Sequence, residues 1–293
     1  MNQVASISGI LKAKAYYELL KPRLSFLVAF SCAFGYALAT KGSIELLTIT
    51  MLTLGGFLLS GASVCINQII EKDLDGIMTR TMNRPLPTGR VSVQEATWFA
   101  LVCTALSVFI LWMYTNPLTV ILSIISMLLY SFLYTPLKRV GPVAVFVGAI
   151  PGALPPLLGW VAATGSISHE AMIIFGIQFI WQFPHFWAIA WVADDDYKKA
   201  GFKLLPSGGG KDLNTAIQIM VYTLFLIPLG LLPTKFGITG LDSGIVATVC
   251  GAAFFAQTFS LMKTGSTQSA KRIMFGSFLY LPIVQIAYLL DKV

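Results

Sequence analysis

Thirteen acidic residues are spread thinly through 293 positions, yet seven of them fall in or near two short windows: Glu71, Asp73 and Asp75, then Asp194, Asp195 and Asp196, with Asp212 slightly apart. Each window begins where a long apolar stretch ends and is followed by Lys or Arg. Carboxylates at such a boundary suit a divalent cation, and the adjoining basic side chains suit an anionic substrate held at a membrane surface. These residue types predict phosphate chemistry beside a bilayer.

In the first window Asn67, Glu71 and Asp75 are four residues apart. On an α-helix that spacing places them on one stripe drifting by about 40° per step, with Asp73 pointing elsewhere. Magnesium takes few protein carboxylates and completes its octahedron with water and phosphate oxygens, which matches a sparse stripe. A solvated helix end would show the same cluster, and it is the second window and the arginines that favour chemistry. Arg80 and Arg84, again four apart, lie in Thr79-Arg80-Thr81-Met82-Asn83-Arg84-Pro85-Leu86-Pro87-Thr88-Gly89-Arg90. Guanidinium groups bind phosphate bidentately and keep their charge, as a departing diphosphate requires. Pro85 and Pro87 stiffen the loop and Gly89 permits a turn. Arg90 fits a functional role and a membrane-anchoring role equally.

The second window reads Asp194-Asp195-Asp196-Tyr197-Lys198-Lys199-Ala200-Gly201. Three adjacent carboxylates repel one another unless a cation or a basic partner offsets them. Downstream, Ser207-Gly208-Gly209-Gly210-Lys211 superficially suggests a nucleotide phosphate loop, but Leu205 occupies the position of the first Gly and Asp212 follows the Lys, so the segment reads as a flexible hinge or lid. Among the apolar stretches, the sixth carries Gln178, Gln182 and His185, with Pro184 expected to free the carbonyl of Ile180 and kink the helix. The nine residues from His185 to Asp194 span about 13 Å of helix, a reach suited to a ligand hanging from the membrane surface into the bundle. A histidine bonded to Gln182 or a nearby carbonyl for packing accounts for the same residues.

The elements that must position these groups are membrane helices. Hydrophobic residues make up 56% of the chain and charged residues 11%, with a mean hydropathy of +0.77, too apolar for a soluble domain of this length. Continuous apolar runs long enough to cross a bilayer fall at 24–40, 46–68, 96–113, 117–134, 142–163, 170–192, 214–232, 243–262 and 273–290. They lack the alternating polarity of barrel strands, so the fold class is all-α, polytopic, with nine transmembrane helices in one domain over 1–293. With the N-terminus cytoplasmic, only Lys41, Lys235 and Lys292 of the 20 Lys and Arg residues fall on the far side, a strong positive-inside bias. The formal charge of +7 belongs to that asymmetry and to anionic headgroups or substrates, and no nucleic-acid partner is expected. Residues 1–20 read as polar, with Lys12 and Lys14 and no short apolar core ahead of the first span, so cleavage of a leader is not expected. Cys32, Cys65, Cys103 and Cys250 lie inside spans without CxxC spacing and read as packing residues. A bacterial cytoplasmic (inner) membrane is the expected location.

Two loops stand out by length, 69–95 and 193–213, both expected on the cytoplasmic side. Each opens with an acidic window, and four helices separate them, as two parallel four-helix repeats plus a ninth helix would produce.

Asn67-x-x-x-Glu71-x-x-x-Asp75, then Asn83-Arg84-Pro85-Leu86-Pro87, with a second acidic motif after the sixth span, resembles the intramembrane prenyltransferases of the UbiA superfamily. Lys21-Pro22-Arg23, Ser131 to Arg139, Gly148 to Pro156, Gln182-Phe183-Pro184-His185-Phe186-Trp187 and Asp196 to Gly201 resemble its heme-farnesylating branch, and the likeness covers nearly the whole chain. Two departures stand out: Glu71 replaces the more usual Asp, and the second motif, often DxxxD, is compressed into Asp194-Asp195-Asp196-Tyr197.

The resemblance implies magnesium on Glu71, Asp75, Asp195 and Asp196, with Asn67, Arg80 and Arg84 completing the catalytic set. Substrate contacts would come from Lys21, Arg23, Tyr134, Lys138, His185, Tyr197 and Lys198, with His185 toward the porphyrin or its iron and Lys21 and Arg23 toward the propionates. Farnesyl diphosphate would ionise, a vinyl group of heme b would attack the allylic cation, and water would capture the second cation to give heme O. The lipid bilayer would shelter the isoprenoid, and heme A synthase or a terminal oxidase assembly would be the protein partners. Two other readings compete. A quinone-pathway prenyltransferase with an aromatic acceptor uses the same acidic motifs but gives Pro184-His185 no task. A secondary transporter would place ionisable groups near the midplane, whereas here they gather at one border.

Overall fold

The computed structural model describes residues 2–208 and 210–293, with side chains described from residue 9 onward. Gly209, part of the expected hinge, lies outside the described residues. Nine helices among the described residues are long and apolar enough to cross a membrane. They are α2 (Pro22–Ala39), α3 (Leu46–Ile70), α5 (Val93–Tyr114), α6 (Pro117–Leu128) with its continuation to Leu137, α8 (Val143–Thr164), α9 (His169–Val192), α11 (Leu213–Gly230) with its continuation to Lys235, α13 (Leu241–Thr264) and α14 (Thr267–Leu290). Shorter helices complete the order: α1 (Asn2–Leu19), α4 (Lys72–Ile77), α7 (Thr135–Leu137), α10 (Asp194–Lys199) and α12 (Leu232–Lys235).

The spans read from hydropathy agree with these helices to within a few residues, except at the start of the ninth. That helix begins six residues earlier than expected, because Ser266 caps it by accepting the Ser269 N–H and so extends it over Lys271 and Arg272. Helix α1 was not visible in hydropathy at all. Only Ala15 and Leu19 of its described residues are deeply buried, against Cys65, Leu86, Val91, Ala96 and Ala100.

Helix α8 lies at the centre, with 72% of its apolar window buried inside the protein. Its Pro151, Pro155 and Pro156 would ordinarily break a helix, since each removes a backbone donor and frees the carbonyl four residues back. Neighbouring helices answer two of those carbonyls: Ser126 on α6 donates to Pro151 O at 3.3 Å, and Gln178 on α9 donates to Gly152 O at 2.8 Å. In lipid the freed carbonyls have no water to turn to, so these side chains allow the prolines and also fix α8 against its neighbours. Helix α2 crosses α8 at backbone contact: a Cβ at Gly35 would collide with Pro156 O, and one at Gly159 with Cys32 O.

The two expected repeats share a backbone signature. Helix α3 ends at Glu71 (φ −96°, ψ 11°) and α9 ends at Ala193 (φ −97°, ψ 9°), and each break is followed at once by a six-residue helix. At both breaks the i→i−4 ladder continues, through Glu71 N to Asn67 O (3.0 Å) and Asp75 N to Glu71 O (2.7 Å), and through Ala193 N to Ile189 O and Tyr197 N to Ala193 O (both 2.9 Å). The Asn67, Glu71, Asp75 stripe therefore survives a bend that regular helix geometry did not anticipate.

Candidate active site

The first acidic segment points its carboxylates into the protein. Asp75 is fully buried and Glu71 is 4% exposed, while Asp73 faces outward. Arg84 Nη1 reaches both Asp75 oxygens, at 2.7 and 2.6 Å, and Thr81 Oγ1 donates to the Asp75 carbonyl at 2.9 Å, closing the loop back on the helix that opens it. Lys138 Nζ lies 2.8 Å from Glu71 Oε1 and donates to Oε2 at 3.0 Å. Oε1 is buried and has no hydrogen-bond partner beyond that ammonium. Asn67 is buried and donates to Thr135 Oγ1 at 3.0 Å.

Thr135 and Lys138 reach the site because α6 does not end regularly. Residues Leu129–Tyr134 form a π-helical turn, and the Thr135 N–H reaches back five residues to Tyr130 O. Pro136 explains the wider turn, since its ring would clash with the carbonyl four residues back in an α-helix. Tyr134 is buried against Gly148, its ring centroid 4.9 Å from Lys138 Nζ, and the Phe202 ring stands 5.5 Å from the same ammonium.

Lys21 completes the cationic side. It joins α1 to α2 in a left-handed conformation (φ 44°), the sole non-glycine residue with positive φ among the described residues. A left-handed lysine is strained, by about 1–3 kcal/mol, and such strain marks positions that the surroundings impose. Burial, then the Arg84 and Lys138 charges, lower Lys21 to about 7, against the pull of Asp75 and Glu71. Arg23 is exposed and stands apart from this cluster.

The second acidic segment is arranged differently. Asp194 is buried and meets Lys198 at 2.8 Å and Lys211 at 3.5 Å. Asp195 is 92% exposed, with Lys211 at 3.8 Å. Asp196 crosses to the first loop, where its Oδ1 accepts the Thr79 N–H (3.1 Å) and its Oδ2 the Arg80 N–H (2.9 Å). Lys199 Nζ joins Asp196 Oδ1 (3.0 Å) to Thr79 Oγ1 (2.9 Å). These donors, the Arg80 backbone first and then Lys199, hold the Asp196 carboxyl far below the usual carboxylate range. Arg80 lies over the Tyr197 ring at 5.7 Å and donates to its hydroxyl at 3.5 Å. A second tie runs from Lys203 N to Lys138 O at 2.9 Å.

The structure thus gathers Asn67, Glu71, Asp75, Arg84, Lys138, Tyr134 and Lys21 into one cluster, with Arg80, Tyr197 and Asp196 at its edge. Lys198 is exposed beside Asp194. His185 sits deeper in the bundle: Phe186, the next residue, has its ring 6.5 Å from that of Tyr134, which adjoins Lys138. The sequence reading missed Thr135, Lys199 and Thr79. Thr135 lay within a quoted motif, but its pairing with Asn67 bridges 68 positions and leaves no local signal.

Three or more His, Cys, Asp or Glu side chains do not converge on a point that could hold an ion among the described residues. The donor set fits a sparser arrangement. Glu71 offers a buried oxygen whose partner is the Lys138 ammonium alone, Asp75 lies one turn along the same stripe, and each already faces a cation where a second charge can be exchanged. Magnesium completed by diphosphate oxygens needs no more protein ligands than these.

A model of the UbiA prenyltransferase family matches residues 28–281. A protoheme IX farnesyltransferase of Cytophaga hutchinsonii is 51% identical, covering 96% of this chain and 98% of the relative. One from Christiangramia forsetii is 47% identical, covering 94% and 93%. Among solved structures, a digeranylgeranylglyceryl phosphate synthase aligns with a TM-score of 0.79 at 20% identity, covering 96% of this chain and 98% of that one. A UbiA homolog from Archaeoglobus fulgidus bound to GPP and Mg2+ aligns with a TM-score of 0.65 at 18% identity, covering 94% and 99%. At these identities the structural likeness speaks for the fold.

Proposed function

We infer that this chain, which belongs to the UbiA prenyltransferase family, transfers the farnesyl group of farnesyl diphosphate to a vinyl group of heme b, with addition of water, giving heme O and diphosphate. The observation that carries the reading is the buried pairing of Glu71 with Lys138 and of Asp75 with Arg84, beside Lys21, at the end of a membrane bundle. Two buried carboxylates face two paired cations with a third beside them, an arrangement in which an arriving diphosphate and its counter-ion can displace the internal pairs. The names of the relatives support heme as acceptor.

Magnesium, as in the Archaeoglobus homolog, would be held by Glu71 and Asp75. When bound it would supply positive charge to the phosphate oxygens as the carbon–oxygen bond breaks. Asp195 and Asp196 would have to leave their present surroundings to join it. Arg84 and Lys138, released from their carboxylates, and Lys21 beside them would turn toward the diphosphate and stabilise the charge it gains on leaving. Arg80, oriented by its backbone tie to Asp196 and by Tyr197, would close over the outer phosphate. Tyr134 and the surrounding apolar helices would keep water from the allylic cation until the vinyl carbon reaches it. The basic-residue asymmetry supports a cytoplasmic placement of both loops in an inner membrane, and heme A synthase or an oxidase assembly would receive the product.

The test supplies detergent-purified protein with magnesium, farnesyl diphosphate and either heme b or 4-hydroxybenzoate, and examines products by mass. Farnesylated, hydrated heme that disappears with EDTA is expected. Prenylated benzoate without modified heme would replace the acceptor assigned here.

A further inference from the structure

His185 and the Trp181 ring stacked on it are both tied to one residue of α14. The His185 Nδ1 lies 2.8 Å from Ser277 Oγ, while Trp181, stacked on the imidazole at 4.4 Å with planes 20° apart, donates its indole N–H to Ser277 O at 3.0 Å. The Ser277 hydroxyl has a single proton. Its Oγ also lies 2.6 Å from Met274 O, a carbonyl that can only accept. The proton therefore belongs to the Met274 bond, and the remaining bond must be donated by His185 Nδ1–H to Ser277 Oγ. A neutral imidazole with hydrogen on Nδ1 carries its lone pair on Nε2, and Nε2 has no hydrogen-bond partner among the described residues.

Resting on the heme reading above, we propose that Ser277 is a positioning residue: through Met274 O it fixes His185 as the Nδ1–H tautomer and so presents the Nε2 lone pair to the iron of the heme substrate. The imidazole is surrounded by aromatic rings. Phe186 and Phe278 present their edges to the imidazole at 5.4 and 5.1 Å, and Phe186 leads to Tyr134 and the Glu71–Lys138 pair. Stacking on Trp181 sets the imidazole plane and the Ser277 bond sets its rotation, so an iron at Nε2 would meet a ligand that needs no reorientation. Second contacts of this kind typically change metal affinity by about 10- to 100-fold.

The chain has two histidines, so a His169→Gln background leaves His185 as the sole imidazole for 15N NMR of histidine-labelled protein in detergent. The proposal expects a protonated Nδ1 and an unprotonated Nε2 near neutral pH. Ser277→Ala should revert toward the Nε2–H form that histidine prefers in water, and Ser277→Thr should restore the original pattern. In heme b titrations, Ser277→Ala should weaken binding about 10-fold or more and move the absorption band toward that of His185→Ala, with Ser277→Thr again restoring it. An Nε2–H signal in the unsubstituted Ser277 protein overturns the proposal, as does a Ser277→Ala protein whose tautomer and heme spectrum are unchanged. If the Nδ1–H tautomer is found but no heme binds and another acceptor is prenylated, the acceptor reading and the iron assignment fall together while the NMR result identifies which part failed.

Discussion

The two acidic segments share a backbone but put their carboxylates to different uses. After α3, the break at Glu71 leaves Asn67, Glu71 and Asp75 buried on the inner stripe, the two carboxylates facing Lys138 and Arg84 and the amide facing Thr135. After α9, the same break falls at Ala193, and the corresponding stripe positions are Ile189, Ala193 and Tyr197. Counted from the break, Asp194 falls one residue later than Glu71, Asp195 matches the outward-facing Asp73, and Asp196 falls one residue earlier than Asp75. One carboxylate is neutralised by lysines, one faces outward, and one caps the backbone of the other loop. A shift of one residue at either end, 100° of helix, accompanies the difference between carboxylates that face Lys138 and Arg84 inside the protein and carboxylates that bond lysines and the backbone of the first loop.

If that contrast is right, the largest losses come from the first segment. Glu71→Gln and Asp75→Asn should each lower turnover by about 10²–10³-fold or more, the scale of removing one preorganised electrostatic group. Asp75→Asn should also lower the melting temperature measurably, because Arg84 loses the carboxylate that offsets its partly buried charge. Arg84→Lys should fall next, with a raised KM for farnesyl diphosphate, since a point charge cannot span a carboxylate or diphosphate as a guanidinium does. Normal turnover in Glu71→Gln would remove the distinction between the segments.

Asp196→Asn should be milder, about 10-fold, because an amide keeps one oxygen for the Thr79 or Arg80 N–H and loses the other. The smallest effect concerns pH. Lys21, lowered to about 7, is charged below that value and increasingly neutral above it. The KM for the diphosphate should therefore rise as pH climbs through 7, and Lys21→Arg, which stays charged, should flatten the rise. The unfolded lysine keeps its proton to about 10.4, so between the two values the unfolded chain binds more protons and stability contributed at this site increases with pH. A KM that ignores pH in both proteins would detach Lys21 from the diphosphate.

Part of this contrast was legible in the chain itself. Spacing by four put Asn67, Glu71 and Asp75 on one face and sent Asp73 outward, and apolar length located the spans, because both are local properties of a helix. What spacing could not carry was the choice of partner. Lys138 is 67 positions from Glu71, Asp196 is more than 100 from Thr79 and Arg80, and Ser277 is 92 from His185. Those pairings follow from how α3, α6, α9 and α14 are brought together, which depends on features such as the proline-freed carbonyls of α8 and the π turn before Pro136. Helix α1 escaped notice because its described portion buries too few apolar residues to show a periodic face.

The division of labour between the segments is tested most directly by the magnesium dependence of farnesyl transfer in Glu71→Gln and Asp196→Asn, measured side by side at saturating farnesyl diphosphate. The account predicts that Asp196→Asn turns over more slowly but half-saturates at the same magnesium concentration as the unsubstituted protein, whereas any residual activity of Glu71→Gln needs far more of the ion. An equal shift in magnesium requirement for both variants would contradict it and make Asp196 a metal ligand alongside Glu71.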